Sequence, residues 1–519
     1  MLMDLAQLEP DSTIDADIAI IGAGAAGIAL ACELAGSGRD TWLIESGDFD
    51  FDAPTQALYE GKNIGTPYPP LDVWRLRYFG GSTNHWGGYC RPLDPIDFER
   101  RDWVPHSGWP IERKDLDSFY ARAQEYCQLG PYRYEPAAWP AVKDKVLPFA
   151  ADKLATRLWQ IGPPTRFGEV YRNRLVTAQD VRILMHANVL EIVANADASA
   201  VTSVRLSTLQ GRTATLRPRT LIVACGGIEN ARLLLASSGV EKAGVGNRND
   251  LVGRFFMEHP HAVAAYAVRK VDLERFALYY GQLKQADRTV LHAKPGLAES
   301  LQRQQRLLNG CVDLGYGYDR SEGYLALRDL GKNLSSGRLP DAFGRDLLDV
   351  LGDLDDAVAG LYRTASHDAV LWLASNSEQV PDPESRVTLG DERDALGMRR
   401  VKLDWRVSAL EKQNVKAACR VVGEELARLG LARLKLDAWL LSDDPHWSDI
   451  EGRAHHLGTT RMSDDPKQGV VDRNGRVHGY GNLYIAGSSI FPTSGYAHPT
   501  LTIVALAIRL ADHLKANRA

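Results

Sequence analysis

Two patterns of apolar and polar positions alternate along this chain. Asp17-Ile-Ala-Ile-Ile21 and Thr41-Trp-Leu-Ile-Glu45 are short, nearly continuous apolar runs, as expected of strands buried on both faces. Between them Gly22-Ala-Gly24-Ala-Ala-Gly27 interrupts the run, and residues 28–34 have helical character, so 17–45 predicts one strand–helix–strand unit. Residues 201–207 and 212–216 flank Thr208-Leu-Gln-Gly211 and predict a hairpin. Residues 220–224 predict another buried strand, and Gly226-Gly227 opens a helix over 229–238. Near the end, 483–486 predicts a strand and 500–514 a helix.

The second pattern occupies the middle of the chain. Residues 261–300 alternate loosely, which suits an antiparallel sheet. Residues 410–429 form a long amphipathic helix, with Ser408 as N-cap and Gly430 as its stop. Residues 115–127 are helical in period, and 320–365 carry charged, leucine-spaced segments that predict a helical insertion with a solvated face. Residues 50–110 are rich in Gly, Pro and Trp, lack a long period, and predict an extended excursion that covers a ligand. The whole predicts an α/β (α+β overall) chain. A Rossmann-like, doubly wound domain is assembled from 1–260 and 445–519. The span 261–444 is inserted into it, built on an antiparallel sheet plus helices.

Composition narrows the classes. The chain has 519 residues, 45% hydrophobic and 24% charged, which supports a sizeable core and excludes wholesale disorder. With 61 Lys and Arg against 66 Asp and Glu the net charge is −5, which argues against nucleic acid as a partner. None of the six cysteines sits in a CxxC cluster, so no zinc site, iron–sulfur cluster or other metal site is expected. The first residues are acidic without a signal pattern, and no run reaches ~18 apolar residues, so the chain is expected in the cytoplasm without a membrane span.

The glycine turn carries specific chemistry. In Gly22-x-Gly24-x-x-Gly27 the first glycine permits the tight turn, the second lets a pyrophosphate approach the backbone, and the third packs helix on strand. Ala26 lies in the first helical turn, where free N–H groups and the positive dipole end favour an anion. Glu45 stands 21 residues beyond Gly24, where a ribose hydroxyl needs an acceptor. The fingerprint does not separate NAD from FAD; its place at the start of the chain, with the remaining pieces far downstream, favours FAD.

Two further segments are rich in functional groups. In Tyr78-Phe-Gly80-Gly81-Ser82-Thr83-Asn84-His85-Trp86-Gly87-Gly88, paired glycines allow close approach to a flat ring, Ser82 and Asn84 supply hydrogen-bonding groups, and Trp86 a wall. Near the C-terminus, Ala454-His455-His456-Leu457-Gly458-Thr459 precedes Asn482-Leu-Tyr-Ile-Ala-Gly487 and then Ala497-His498-Pro499-Thr500. Pro499 and Thr500 mark a helix start with free N–H groups.

With these blocks in this order, the chain resembles the glucose–methanol–choline (GMC) flavin oxidoreductases over nearly its whole length. Within that family the ending is most similar to pyranose oxidases and bacterial sugar dehydrogenases, although those commonly end in Asn-Pro-Thr where this chain has His498-Pro499-Thr500. The resemblance implies an FAD enzyme that oxidises an alcohol, on a sugar or glycoside, by hydride transfer to flavin N5 with a histidine base. It implies His455 and His498, 43 residues apart, as the catalytic pair. In HxxGT the first histidine counts, and neighbours in an extended chain point to opposite faces, so His456 is assigned a structural role. His259 and His261 are assigned structural roles too. Gly487 joins the cofactor contacts, and Val189 is assigned an adenine contact. The resemblance puts His85 against the flavin; a covalent link, as in pyranose oxidases, is open and not favoured. A non-sugar alcohol substrate, or a non-redox lyase reaction, are the alternatives within the family. Oxygen or another acceptor would take the electrons, and nothing in the sequence sets the oligomeric state.

Overall fold

The computed structural model describes residues 1–317, 330, 370–442, 447 and 450–517. The apolar runs of the first pattern assemble into one sheet. Its order is Leu2–Asp4, Val181–Met185, Thr41–Ile44, Ser12–Ile21, Thr213–Val223, Val201–Ser207, Asn188–Ala194, with Leu483–Ile485 also paired to Thr213–Val223. The central pairings are parallel: Ile20 lies opposite both Leu43 and Ile222, and Ile222 opposite Tyr484. The edge formed by 188–223 is antiparallel, as the predicted hairpin requires.

Helices Ala25–Leu34 and Thr500–Ala516 pack together, and Asp117–Tyr126 lies against the latter. Their apolar faces and the central strands share one core, in which Ile18, Ala19, Ile20, Leu221 and Val504 are fully buried. That two-sided burial is why these strands are continuous apolar runs rather than alternating ones. Residues 212–216 and 220–224 are not two strands but parts of one, Thr213–Val223, running through Pro218. Along one edge, pairing to Val201–Ser207 ends at Leu216 and pairing to Leu483–Ile485 begins at Leu221. A residue that cannot donate a hydrogen bond is tolerated in that gap.

The second sheet is antiparallel throughout, in the order Ala432–Leu436, Val263–Arg269, Val370–Ser377, Gly310–Gly317, Val290–Leu297, Leu154–Ile161, Tyr89–Cys90. Its last two strands come from the span before residue 260. Helix Ala409–Arg428 backs this sheet through Ala418, Val421, Val422 and Leu426. It starts as its sequence announces: Ser408 Oγ accepts from the Leu410 N–H, and the Glu411 carboxylate accepts from the Ser408 N–H at 2.9 Å. A small sheet of Arg386–Arg393, Arg399–Asp404 and Gly61–Asn63 ties the 50–110 excursion to the second half of the chain. The helical insertion expected near 320–365 lies outside the described residues. Among the described residues no helix is long and apolar enough to cross a membrane, and no group of three His, Cys, Asp or Glu could hold a metal ion.

Candidate active site

A cavity of about 970 Å³ runs from the Gly22 turn at the end of the first sheet to the wall of the second. Gly22 has φ +99°, and a Cβ there would lie 2.8 Å from the Ala224 carbonyl oxygen, so the turn wedges between two strand ends. A Cβ on Gly27 would lie 1.9 Å from the Gly22 carbonyl oxygen; this glycine brings helix Ala25–Leu34 onto the turn and stands behind the cavity wall. Gly24 has open space where a Cβ would be, and as N-cap it offers no side-chain partner to the helix N–H groups. Ala26 is beside it on the cavity wall. Glu45 is buried and lines the cavity; its carboxylate accepts from the Ala23 N–H at 2.9 Å and the Gly47 N–H at 3.0 Å. A bare helix N-terminus, an open glycine and a buried carboxylate together fit the pyrophosphate and ribose of a dinucleotide.

Val189 lines the same end of the cavity. Beside it is a cluster that the sequence reading did not find. Glu229 is gripped by Arg75 at 2.9 Å and by Arg77 and Arg232 at 3.4 Å each, and Arg75 and Arg77 stack on Tyr59. Burial disfavours the Glu229 charge, but Arg232, Arg75 and Arg77 outweigh it and hold the carboxyl down to about 2. Arg75 and Glu229 are 154 residues apart, so no local spacing announces this contact.

The glycine-rich loop packs directly on the fingerprint turn. The Gly80 N–H donates to the Ala23 carbonyl at 2.8 Å, and a Cβ on Gly81 would lie 3.1 Å from Gly24 Cα. Gly80 and Gly81 both have positive φ, +101° and +54°. Gly81, Ser82, His85 and Trp86 face the cavity. Gly80 and Asn84 stand behind it; Asn84 folds back to donate to the Phe79 carbonyl at 3.0 Å, bracing the loop. Trp86 is oriented by an indole N–H donated to the Thr165 carbonyl at 2.8 Å.

At the far end His455 and His498 face one another, ring centroids 4.7 Å apart at 50°. Gly487, Pro499 and Thr500 line the cavity next to them, and helix Thr500–Ala516 starts there without a side-chain cap. Trp159 backs His498, with centroids 4.8 Å apart. The buried Glu258 carboxylate clamps the other strand of the site: it accepts from the His455 N–H at 2.9 Å, the Arg453 and His259 N–H groups at 3.1 Å, and the Tyr68 hydroxyl. His456 also lines the cavity, its Nε2 2.8 Å from the Tyr68 hydroxyl and its ring beside Phe256. His259 is fully buried, and its Nδ1 lies 2.7 Å from Nδ1 of His455.

The second sheet adds charge to this end. Lys294 Nζ is 2.5 Å from Asp313 Oδ1 and lies over the Trp159 ring, and Arg453 approaches Asp313 Oδ2 at 3.9 Å. All three line the cavity. Burial pushes the His498 imidazole well below its ordinary range, and Lys294 pushes it further. Burial does the same to His455, followed by the charge His498 would carry. Both rings are therefore neutral near pH 7, and either can accept a proton.

Known proteins give the arrangement its context. Residues 17–246 match a family model described as FAD dependent oxidoreductase, and residues 381–507 one described as GMC oxidoreductase. A 6'''-hydroxyparomomycin C oxidase of Streptomyces lividus is 25% identical over 97% of this chain and 92% of its own. The fructose dehydrogenase large subunit of Gluconobacter japonicus is 22% identical over 97% of this chain and 98% of its own. A solved structure of formate oxidase shares the fold, with a TM-score of 0.56 at 17% identity over 98% of this chain and 99% of that one. Taken with a dinucleotide cradle at one end of the cavity, these matches make the chain an FAD-dependent oxidoreductase acting on CH–OH groups, with a GMC oxidoreductase domain over residues 381–507.

Proposed function

We propose that the enzyme oxidises a secondary or hemiacetal alcohol on a polyhydroxylated substrate, a sugar or glycoside, with His455 and His498 as its catalytic pair. The observation that carries this reading is the composition of the wall beside the two histidines. Lys294, Asp313 and Arg453 put donors and acceptors next to the reacting position. Neighbouring hydroxyls of a polyhydroxylated substrate can add hydrogen bonds to these charged groups, which a monofunctional alcohol cannot. The names of the Streptomyces and Gluconobacter relatives, a 6'''-hydroxyparomomycin C oxidase and a fructose dehydrogenase large subunit, support the same substrate class.

In this reading the first sheet, with the spans 1–260 and 445–519, carries FAD, and the span 261–444 supplies the substrate wall. Strands Leu154–Ile161 and Tyr89–Cys90 are lent to that wall by the first span. Gly22, Gly24 and Ala26 would hold the pyrophosphate, Glu45 the ribose, and Val189 the adenine side. Gly81, Ser82, His85, Trp86, Gly487, Pro499 and Thr500 would hold the ring system. Bound FAD supplies the two-electron acceptor for the substrate carbon. His455, neutral and fixed by the Glu258 clamp on its backbone, takes the hydroxyl proton. His498 hydrogen-bonds the same oxygen and sets its direction. His85 contacts the cofactor without a covalent bond.

Anaerobic flavin bleaching tests the substrate class. Sugars and glycosides should bleach the enzyme at least about tenfold faster than monofunctional alcohols, the worth of one well-made hydrogen bond. Asp313→Asn should narrow that preference. Equal bleaching by a monofunctional alcohol, with the preference untouched in Asp313→Asn, would overturn the reading. Readmitting air then separates oxygen from another acceptor.

A further inference from the structure

The contact between His259 and His455 limits where protons can sit. His259 Nε2 lies 3.3 Å from the Ser494 carbonyl oxygen, which can only accept, so this nitrogen carries the hydrogen. Burial pushes the His259 imidazole down to about 4, so the ring holds one proton near neutral pH and its Nδ1 is a bare lone pair. That lone pair faces Nδ1 of His455 at 2.7 Å, a hydrogen-bonding distance that two bare nitrogens would not hold. The hydrogen between them therefore belongs to His455 Nδ1. His455 is itself neutral, because burial and the surrounding imidazoles and Arg453 disfavour its charge, so its Nε2 is unprotonated.

We propose that His259 is the positioning residue that sets the tautomer of His455, leaving the Nε2 lone pair of His455 as the base on the cavity side. This rests on the reading of His455 as the proton acceptor. The surroundings suit it. Lys294 and Arg453 keep His259 from charging, and Glu258 accepts the backbone N–H groups of both residues, holding the two rings in register. The arrangement is the one by which a buried acceptor orients a catalytic imidazole, with a neutral histidine in place of a carboxylate. A carboxylate would stabilise an imidazolium; a neutral ring fixes direction and leaves the base unprotonated.

The test uses FAD-loaded enzyme with ¹⁵N-labelled histidine, His455 being assigned by the signals lost in His455→Asn. The wild-type spectrum should show His455 with Nδ1 protonated and Nε2 bare. In His259→Leu the His455 signals should move toward a mixture of tautomers. Bleaching at saturating substrate should fall about 10–100-fold, with KM changed far less. His259→Asn, whose carboxamide oxygen can replace the Nδ1 acceptor, should restore most of the rate and the wild-type His455 spectrum. Wild-type His455 protonated at Nε2 would overturn the proposal. So would a His259→Leu enzyme that retains FAD and bleaches at the wild-type rate. If instead His455→Ala bleaches normally while the wild-type tautomer is as stated, the proton-acceptor reading fails and the positioning of the ring stands.

Discussion

His455 and His456 are neighbours that both line the cavity, yet they take different partners: His455 meets His498 and His259, and His456 the Tyr68 hydroxyl. His455 was legible as a candidate in the HxxGT spacing. His259 was not: in sequence it is one histidine in a turn, and its role exists only because Glu258 draws the 258–259 and 453–455 backbones together. Lys294 and Asp313 were equally silent, since each is one charged residue in an apolar strand until the sheet pairs those strands.

Their charges give the site a pH signature. The base must be neutral, so kcat/KM should rise with pH and then level off. Because burial and Lys294 hold the His498 pKa below its ordinary value, and burial and its neighbours hold His455 below it, the rise should fall below pH 6.5 in the free enzyme. Removing a nearby cation eases protonation, so Lys294→Met should move the rise to higher pH. Asp313 acts on His498 in the opposite sense, so Asp313→Asn should move it lower. Steady-state profiles of the three enzymes check both directions. His85 has its own test: acid precipitation should leave the flavin in the supernatant, and flavin pelleting with the protein would establish a covalent tether instead.

At the scale of elements, legibility followed how local the signal is. Helix Ala409–Arg428 was found with its cap because Ser408 and Glu411 satisfy each other within one turn. Ser408→Ala removes the Leu410 acceptor and should lower the stability of the FAD-loaded protein by about 1 kcal/mol, read from urea unfolding with flavin content unchanged. Strand Leu154–Ile161 was missed. Its register against Val290–Leu297, from His292 opposite Trp159 to Leu297 opposite Leu154, joins segments more than a hundred residues apart. The break expected between 216 and 220 was overridden by the pairing of the whole strand to Ser12–Ile21.

At the scale of the molecule, two sheets built from interleaved stretches of chain leave one long cavity between them. The first sheet presents a helix N-terminus at one end of it, and the second, antiparallel sheet offers a charged wall at the other. The two histidines stand at the charged end, one on the segment after the second sheet's last strand and one ahead of the final helix. In the proposed reaction they work as a pair on one substrate oxygen. The direct measurement is the anaerobic bleaching rate in His455→Ala, His498→Ala and the double variant, each with full FAD content. Each single replacement should slow bleaching by about 10²–10⁴-fold, and the double variant should be little slower than the worse single, because groups that act as a unit are not additive. Effects that multiply in the double variant, or a wild-type rate in His455→Ala, would contradict the account.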